Sequence, residues 1–190
     1  MKTIASTALP AHVQQPRYDR EQLRSRIVHF GFGAFHRAHQ ALLTNRVLNA
    51  KGGDWGICEI SLFSGDVLMG QLRAQDHLFT VLEKGAEGNQ PIIIGAVKEC
   101  LNAKLDSLAA IIEKFCEPQV AIVSLTITEK GYCIDPATGK LDMRNSRILH
   151  DLEHPSEPHS APGILVEALH RRRERGLPAF TVLSCDNIPD

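Results

Sequence analysis

The chain has 190 residues, 43% of them hydrophobic, which is enough to bury the core of one α/β domain or of one domain and part of a second. Its 21 basic and 22 acidic side chains give a formal charge of −1, which argues against a nucleic-acid-binding protein. No apolar run reaches the ~20 residues that span a bilayer, so we expect no membrane segment.

The predicted elements begin after residues 1–24, a mixed segment with two prolines that we expect to form an N-terminal arm. An apolar run over 27–30 predicts the first strand, and apolar side chains at helical spacing predict a helix over 36–50. A second strand is predicted over 55–63, and a short helix over 66–75.

Two β-prone runs over 78–82 and 92–97 flank a turn-rich segment, which predicts an antiparallel hairpin. The later elements are predicted as a helix over 106–115, a strand over 120–125, loops with one short helix over 134–162, a helix over 163–175 and a strand over 180–184. The predicted strands over 27–30, 120–125 and 180–184 are apolar almost throughout, as a parallel sheet covered on both faces requires. Residues 25–190 are therefore predicted to form a doubly wound α/β domain with a Rossmann-type, mostly parallel sheet and one antiparallel hairpin.

The glycine turn, residues 31–37, joins the first strand directly to the first helix. A dinucleotide-binding fold places its diphosphate here, because glycines let the backbone approach the phosphates and the helix N-terminus supplies N–H donors. His36 replaces the third glycine of the G-x-G-x-x-G pattern, so this motif alone leaves open a tight turn without a ligand. The candidate cofactor-binding residues here are Gly31, Phe32, Gly33, Ala34, Phe35, His36 and Arg37.

An acidic side chain after the second strand usually binds the adenosine ribose of the dinucleotide. Asp66 is the preferred candidate because it follows the strand, whereas Glu59 lies within the strand, where we expect a structural role or an edge position. No basic residue occurs between positions 58 and 72 that could bind a 2′-phosphate, which favours NAD over NADP.

Four ordered motifs are spread along the chain: GFGAFHRAHQ at 31–40, WGIC at 55–58, SLTITEKGY at 124–132 and SCDNIP at 184–189. Together they resemble the mannitol dehydrogenase / fructuronate reductase family of polyol-specific long-chain dehydrogenases, in particular its mannonate oxidoreductase branch. The resemblance implies an NAD-dependent, metal-independent interconversion of a ketone and a secondary alcohol on a linear sugar acid or sugar alcohol. It also implies that Thr126 and Glu129 lie near the nicotinamide and that Asn187 polarises the reacting oxygen.

In that family the general base is a lysine of a Lys-x4-Asn-x2-His motif within a helical second domain, which follows the SCDN segment. This chain contains no such motif, so we expect a cofactor domain truncated before the substrate domain, which binds NAD without turning over substrate. Lys130 is expected to be a surface or cofactor contact rather than the base. The resemblance leaves mannonate, mannitol and other polyols open as substrates and implies a monomer, although the sequence does not determine the oligomeric state.

A non-catalytic nucleotide-binding module of Rossmann type stays open as an alternative function, since many activities use this fold. His36 and His39 lie three residues apart at a helix start, but no further local ligands accompany them, so we expect no metal.

His29 is expected to be a hydrogen-bonded sheet histidine, and the basic run 170–175 is expected to be a solvated helix end. The five scattered cysteines form no CxxC pair, and the N-terminal segment lacks the apolar core of a secretory signal, so we expect reduced, mostly buried thiols in a cytoplasmic protein.

Overall fold

The structure is a computed structural model and describes residue 4 and residues 8–62, 64–86 and 88–186. The strands are β1 (Arg24–Phe30), β2 (Trp55–Ser61), β3 (Phe79–Gly85), β4 (Gly88–Ile94), β5 (Val97–Asn102), β6 (Ile122–Leu125), β7 (Ile134–Asp135), β8 (Lys140–Leu141) and β9 (Thr181–Ser184). The α-helices are α1 (Ala34–His36), α2 (Leu42–Lys51), α3 (Asp66–Ala74), α4 (Leu108–Phe115), α5 (Ser146–Glu153) and α6 (Ala161–Glu174). A π-helical turn, Arg37–Ala41, joins α1 to α2. Within the described residues, no helix is both long enough and apolar enough to cross a membrane.

Five strands form a central parallel sheet in the order β5-β2-β1-β6-β9. The chain runs outward from β1 through β2 to β5 on one side, and then through β6 to β9 on the other. This reversal at β1 is the doubly wound topology, and it leaves a crevice between the carboxyl ends of β1 and β6, where such folds bind ligands. Strands β3 and β4 form a separate antiparallel hairpin. The predicted fold is confirmed.

Helices and the hairpin cover the two faces of the sheet and bury two apolar clusters. On one face, α4 and α6 pack on the sheet through side chains that include Phe30, Phe115 and Ile164. On the other face, α2 packs with the hairpin around Leu48 and Ile94. Burial on both faces explains why residues 27–30, the carboxyl-terminal half of β1, are mostly apolar. All five cysteines are free and four of them are buried, as predicted.

The run predicted as one strand over 92–97 belongs to two strands in two different sheets. Strand β4 ends at Ile94, whereas Val97 begins β5, which pairs in parallel with β2. Lys98 and Glu99 interrupt the apolar pattern of β5, and the strand tolerates them because it lies at an edge of the sheet.

Strand β9 forms the opposite edge of the sheet, and all four of its residues are exposed. The predicted coverage of this strand on both faces is not seen within the part of the chain that the structure describes. Val182 and Leu183 are each 46% exposed. An apolar run predicts a strand of a parallel sheet, but it does not distinguish a central strand from an edge strand.

Residues 8–23 lie against the domain. The main-chain N–H of Ile93 donates to the carbonyl oxygen of Gln14 at 2.8 Å, which attaches the arm to the hairpin. The hydroxyl group of Tyr18 donates to Oδ1 of Asn45 in α2 at 2.6 Å. The described part of the arm is thus fastened to both α2 and β4.

Arg172 in the basic run is buried, with 1% exposure, so the predicted solvated helix end is wrong at this position. Its guanidinium donates at 2.7 Å to the carbonyl oxygens of both Phe115 and Pro178. These carbonyls lie at the end of α4 and just before β9. One arginine of α6 therefore joins both segments at the edge of the core cluster. Its guanidinium also lies 5.5 Å from the ring centroid of Phe180.

We expect Arg172→Met to lower the free energy of unfolding by about 3 kcal/mol, because it leaves buried carbonyl oxygens without their donor. Urea unfolding followed by circular dichroism measures this change. Arg173→Met is the control, since Arg173 is exposed in the same helical turn and its loss is expected to cost under about 0.5 kcal/mol. Equal effects of the two substitutions would contradict the structural role of Arg172.

Candidate functional site

Gly31 begins the glycine turn at the end of β1 and has a φ of +106°, a conformation that favours glycine. A Cβ atom at this position would collide with the carbonyl oxygen of Thr126, the residue that follows β6. The N–H of Gly31 donates to the carbonyl oxygen of Ile60 in β2 at 3.0 Å. The fold itself therefore requires glycine at position 31, where the chain leaves β1 between the ends of its two neighbours, β2 and β6.

Gly33 is the N-cap of α1, and the fold does not account for a glycine at this position as it does at Gly31. Its φ of −78° and ψ of 170° suit any residue, and no atom lies within 4 Å of the position that a Cβ would occupy. The N–H groups of the first helical turn, from Ala34 to His36, have no intrahelical acceptor and carry the positive end of the helix dipole. Open space beside such donors is what an anionic group needs in order to reach the backbone.

The carbonyl oxygens of the glycine turn are occupied within the protein. That of Gly31 accepts from the N–H of Gly33 at 2.7 Å and from the hydroxyl of Thr126 at 3.0 Å. That of Phe32 accepts from the guanidinium of Arg37 at 2.7 Å, and that of Gly33 from the N–H of Arg37 at 3.1 Å. Arg37, predicted to contact the diphosphate, thus also stabilises the turn. With its acceptors paired internally, the turn offers mainly donors to a ligand.

The aromatic side chains of the turn differ in placement. Phe32 is buried and packs edge-on against Phe79, with 5.4 Å between ring centroids. Phe35 is 56% exposed and stacks on His39. His36 is buried and directed at Glu59 in β2, so its predicted contact with a diphosphate is left to its main-chain N–H.

A cleft of about 350 Å³ opens beside the turn, at the carboxyl ends of β1, β2 and β6. Gly31 and Thr126, both predicted site residues, line this cleft together with Lys130. Arg147 of α5 also lines it and adds a cation that sequence reasoning did not single out. Glu129 instead borders an adjacent hollow next to Lys130. The structure thus brings the glycine turn and the segment after β6 to one crevice.

Asp66, the predicted ribose ligand, is the first residue of α3 and is half-buried at its surface. Its carboxylate accepts a hydrogen bond from Nζ of Lys104 at 3.1 Å, and this bond holds the pKa of Asp66 below its usual value. Lys104 follows β5 and lies outside the stretch 58–72 that seemed to lack a cation. A basic group is therefore present beside the candidate ribose site, but its ammonium group is paired with the Asp66 carboxylate.

Asp186 fastens the loop after β9 to the loop after β6. Its carboxylate accepts from the N–H of Ile127 at 2.9 Å and from the hydroxyl of Tyr132 at 2.8 Å. Burial, with Asp186 adding to it, raises the pKa of Tyr132 to about 12. Thr128, between these contacts, has a φ of +65°, which is strained for a β-branched residue and typical of functional loops. Asn187, the predicted carbonyl-polarising residue, lies outside the described residues.

Three buried polar side chains, His29, His36 and Glu59, lie beneath the glycine turn. Nε2 of His36 lies 2.7 Å from Oε1 of Glu59, and the two imidazole rings stack with 3.5 Å between centroids and 14° between planes. His29 contacts the hydroxyls of Ser124 and Thr126 at 2.7 and 2.9 Å, which confirms it as a hydrogen-bonded sheet histidine. Burial and the neighbouring His36 lower the pKa of His29 to about 2, so its ring is neutral.

The donor atoms of this cluster lie within 4.8 Å of one another, close enough to be considered for a metal ion. However, the near-parallel, stacked rings direct their in-plane lone pairs along separate planes, whereas metal ligands converge on one point. His39, the other predicted metal candidate, is exposed, and its Nδ1 lies 2.8 Å from the carbonyl oxygen of Phe35. The geometry favours a hydrogen-bonded cluster, and the absence of a metal stays a prediction.

Glu59 is fully buried in a strand with neighbours on both sides, so the predicted edge position is wrong, and the alternative structural role stays a prediction. In the observed strands, His29 and Glu59 each stand immediately before the last apolar residue, and the register pairs them. The predicted second strand runs on to residue 63, so aligning the predicted strand ends would not have paired these two residues.

Comparisons with known proteins identify relatives of this chain. Residues 25–190 match the sequence model of the mannitol dehydrogenase Rossmann domain. Over its full length the chain is 85% identical to the "Uncharacterized oxidoreductase YeiQ" of Escherichia coli strain K12, and over 99% of its length it is 54% identical to the D-mannonate oxidoreductase of the same strain. It covers 39% of each of these proteins.

A solved structure is also similar, that of Pseudomonas fluorescens mannitol 2-dehydrogenase in a ternary complex with NAD and D-mannitol. The match has a TM-score of 0.89 and 43% identity, and it covers 95% of this chain and 37% of that chain. The chain therefore spans less than half of the length of the relatives that it matches.

The two glycines of the turn are expected to respond differently to substitution by alanine. Gly31→Ala is expected to lower the free energy of unfolding by about 2 kcal/mol or more, because of its positive φ and the collision with Thr126. Gly33→Ala is expected to cost about 1 kcal/mol or less, the difference between glycine and alanine at an N-cap. Thermal and urea unfolding of both variants measure this contrast, and a larger loss for Gly33→Ala would contradict it.

Proposed function

The chain belongs to the mannitol dehydrogenase family, and we propose that it is the NAD-binding domain of an oxidoreductase that interconverts a linear keto-sugar acid of the fructuronate type and its alcohol of the mannonate type. The observation that carries this proposal is the empty space at Gly33 beside the first-turn N–H donors of the helix. The fold does not need glycine there, whereas a diphosphate against the backbone does.

In this proposal, the N–H groups of residues 34–36 bind the diphosphate, with Arg37 adding positive charge nearby. Asp66 binds the adenosine ribose, while Thr126 and Glu129 lie at the nicotinamide end of the cleft. NAD, when bound, accepts or returns the hydride of the substrate carbinol. Side chains that line the cleft, such as Ile127 and Lys130, would orient the ring and limit the access of water.

The substrate oxygen needs a hydrogen-bond donor that does not titrate and a base that does. We assign the first role to Asn187, whose amide can donate without changing charge. Among the described residues that line the cleft, Lys130 is the one lysine, and we assign it to the cofactor rather than to the base. The base, and with it turnover, would come from parts of the full-length protein outside these 190 residues.

Sequence identity distinguishes two candidate substrate classes within the family. The higher identity to the mannonate oxidoreductase than to the mannitol 2-dehydrogenase favours a sugar acid, with mannitol or another polyol as the alternative. A cytoplasmic, monomeric protein acting on a small molecule completes the proposal. An oxidation screen of sugar acids and polyols with the full-length protein distinguishes these substrates.

NADH titration of this chain tests the proposed binding site directly. We expect saturable binding by fluorescence, and we expect Gly33→Val to raise the Kd by at least about 100-fold, because its side chain fills the space that the diphosphate needs. The backbone at Gly33 accommodates valine, so the variant is expected to fold. Arg173→Ala is the control and is expected to leave the Kd unchanged. Equal responses to NADH, ATP and polyanions would instead favour a non-catalytic nucleotide-binding module.

Asp66→Asn tests the proposed ribose contact and the choice between NAD and NADP. The substitution removes a carboxylate that would repel a 2′-phosphate, and it releases Lys104 to bind one. We expect the ratio of the NADH to the NADPH dissociation constant to rise by about tenfold. Glu83→Gln is the matched control, because Glu83 of β3 is a half-buried carboxylate that likewise pairs with a cation, Arg46 of α2. An unchanged ratio in Asp66→Asn would contradict the assignment.

A further inference from the structure

His36 stands where the G-x-G-x-x-G pattern has its third glycine, the residue that lets the first helix pack closely on the sheet. Here an imidazole with no exposed surface fills the space between helix and sheet. It stacks on His29 of β1 and hydrogen-bonds to Glu59 of β2. A single side chain therefore connects the first helical turn to two neighbouring strands.

The π-helical turn that follows His36 places a second polar side chain on the same side of the helix. The Ser124 hydroxyl of β6 donates to Oε1 of Gln40 at 2.8 Å, and Ser124 also contacts His29 at 2.7 Å. A π turn widens the helix locally, so that residues four and five positions after His36 can both face the sheet. Ala41, the fifth, is fully buried. The start of the helix is thus held to β2 through His36 and to β6 through Gln40.

The contact between His36 and Glu59 leaves two buried polar atoms unpaired among the described residues, which lowers the free energy of unfolding. Nδ1 of His36 and Oε2 of Glu59 have no hydrogen-bond partner within the described ranges, although both atoms are buried. An unpartnered buried polar atom destabilises a protein by roughly 1–3 kcal/mol, and apolar residues often replace a buried ionisable pair without loss. Stability alone does not account for this pair.

We propose that His36 and Glu59 are positioning residues of the dinucleotide site, and that their hydrogen bond holds the first helical turn against β2 with the N–H groups of residues 34–36 aimed at the diphosphate. A hydrogen bond sets both distance and direction, whereas apolar contacts leave a helix free to shift. Neither carboxylate nor imidazole touches the cofactor, since both are fully buried. This role rests on the NAD binding proposed above.

The double variant His36→Phe/Glu59→Leu separates positioning from stability. Phenylalanine keeps the ring stack on His29, and leucine fills the place of the carboxylate, so neither partner is left buried and unpaired. We expect the thermal midpoint to stay the same or to rise, while the Kd for NADH increases by about tenfold. Glu59→Gln keeps an amide oxygen opposite Nε2 of His36 and is expected to bind NADH within about threefold of the parent chain.

Glu167→Leu is the matched control. Glu167 is another buried carboxylate with a partner, Arg171 at 2.6 Å, but it lies in α6 on the opposite face of the sheet. Its loss is expected to change stability and to leave the Kd for NADH unchanged. A folded double variant that binds NADH with the parent Kd would overturn the positioning role.

Amide hydrogen exchange of residues 31–41 without nucleotide gives a second readout that does not depend on NAD. The double variant is expected to exchange there about tenfold faster than the parent chain, and Glu167→Leu is expected not to. If the parent chain fails to bind NADH, the proposed function is refuted. Unchanged exchange in the double variant refutes the positioning role, whatever the result for NADH.

Discussion

The close approach of Gly31 to the main chain of Thr126 is the contact on which the site depends. It joins the ends of β1 and β6 at the point where the sheet reverses its direction of winding. Only a residue without a Cβ fits this contact. Because the chain crosses there, the following helix begins beside the crevice, and its positive end lies where the doubly wound fold binds ligands. A steric constraint at one residue thus determines where the positive end of the helix meets the crevice.

The carbonyl oxygens of the glycine turn find their donors within the protein. The carbonyl oxygens of Gly31, Phe32 and Gly33 all have donors within the protein, so the exposed backbone of the turn offers mainly N–H groups. On the other side of the crevice, Asp186 accepts hydrogen bonds from the loop after β6 and holds two loops together. Both features fix the turn and the loops before any ligand arrives, which lowers the ordering cost of binding.

Buried polar groups serve two purposes in this domain. Arg172 is satisfied by carbonyl oxygens at the ends of elements, so it stabilises the core although it carries a charge. His36 and Glu59 are only partly satisfied, and they lie directly under the turn rather than in the core between α4 and α6. Burial with every polar atom paired therefore indicates a role in stability for Arg172, whereas partial pairing supports a role in binding geometry for His36 and Glu59.

Local sequence determined the strand–turn–helix unit, the parallel character of the sheet and the place of the candidate site, because hydrophobic period and glycine spacing are properties of neighbouring residues. Tertiary structure alone decided that Glu59 meets His36, that Lys104 meets Asp66, and that Arg172 is buried. It also decided that the run over 92–97 divides between two sheets and that β9 lies at an edge of the sheet among the described residues. These features depend on which faces of distant segments come together, and that choice is made by packing and strand register, which no single stretch of sequence encodes.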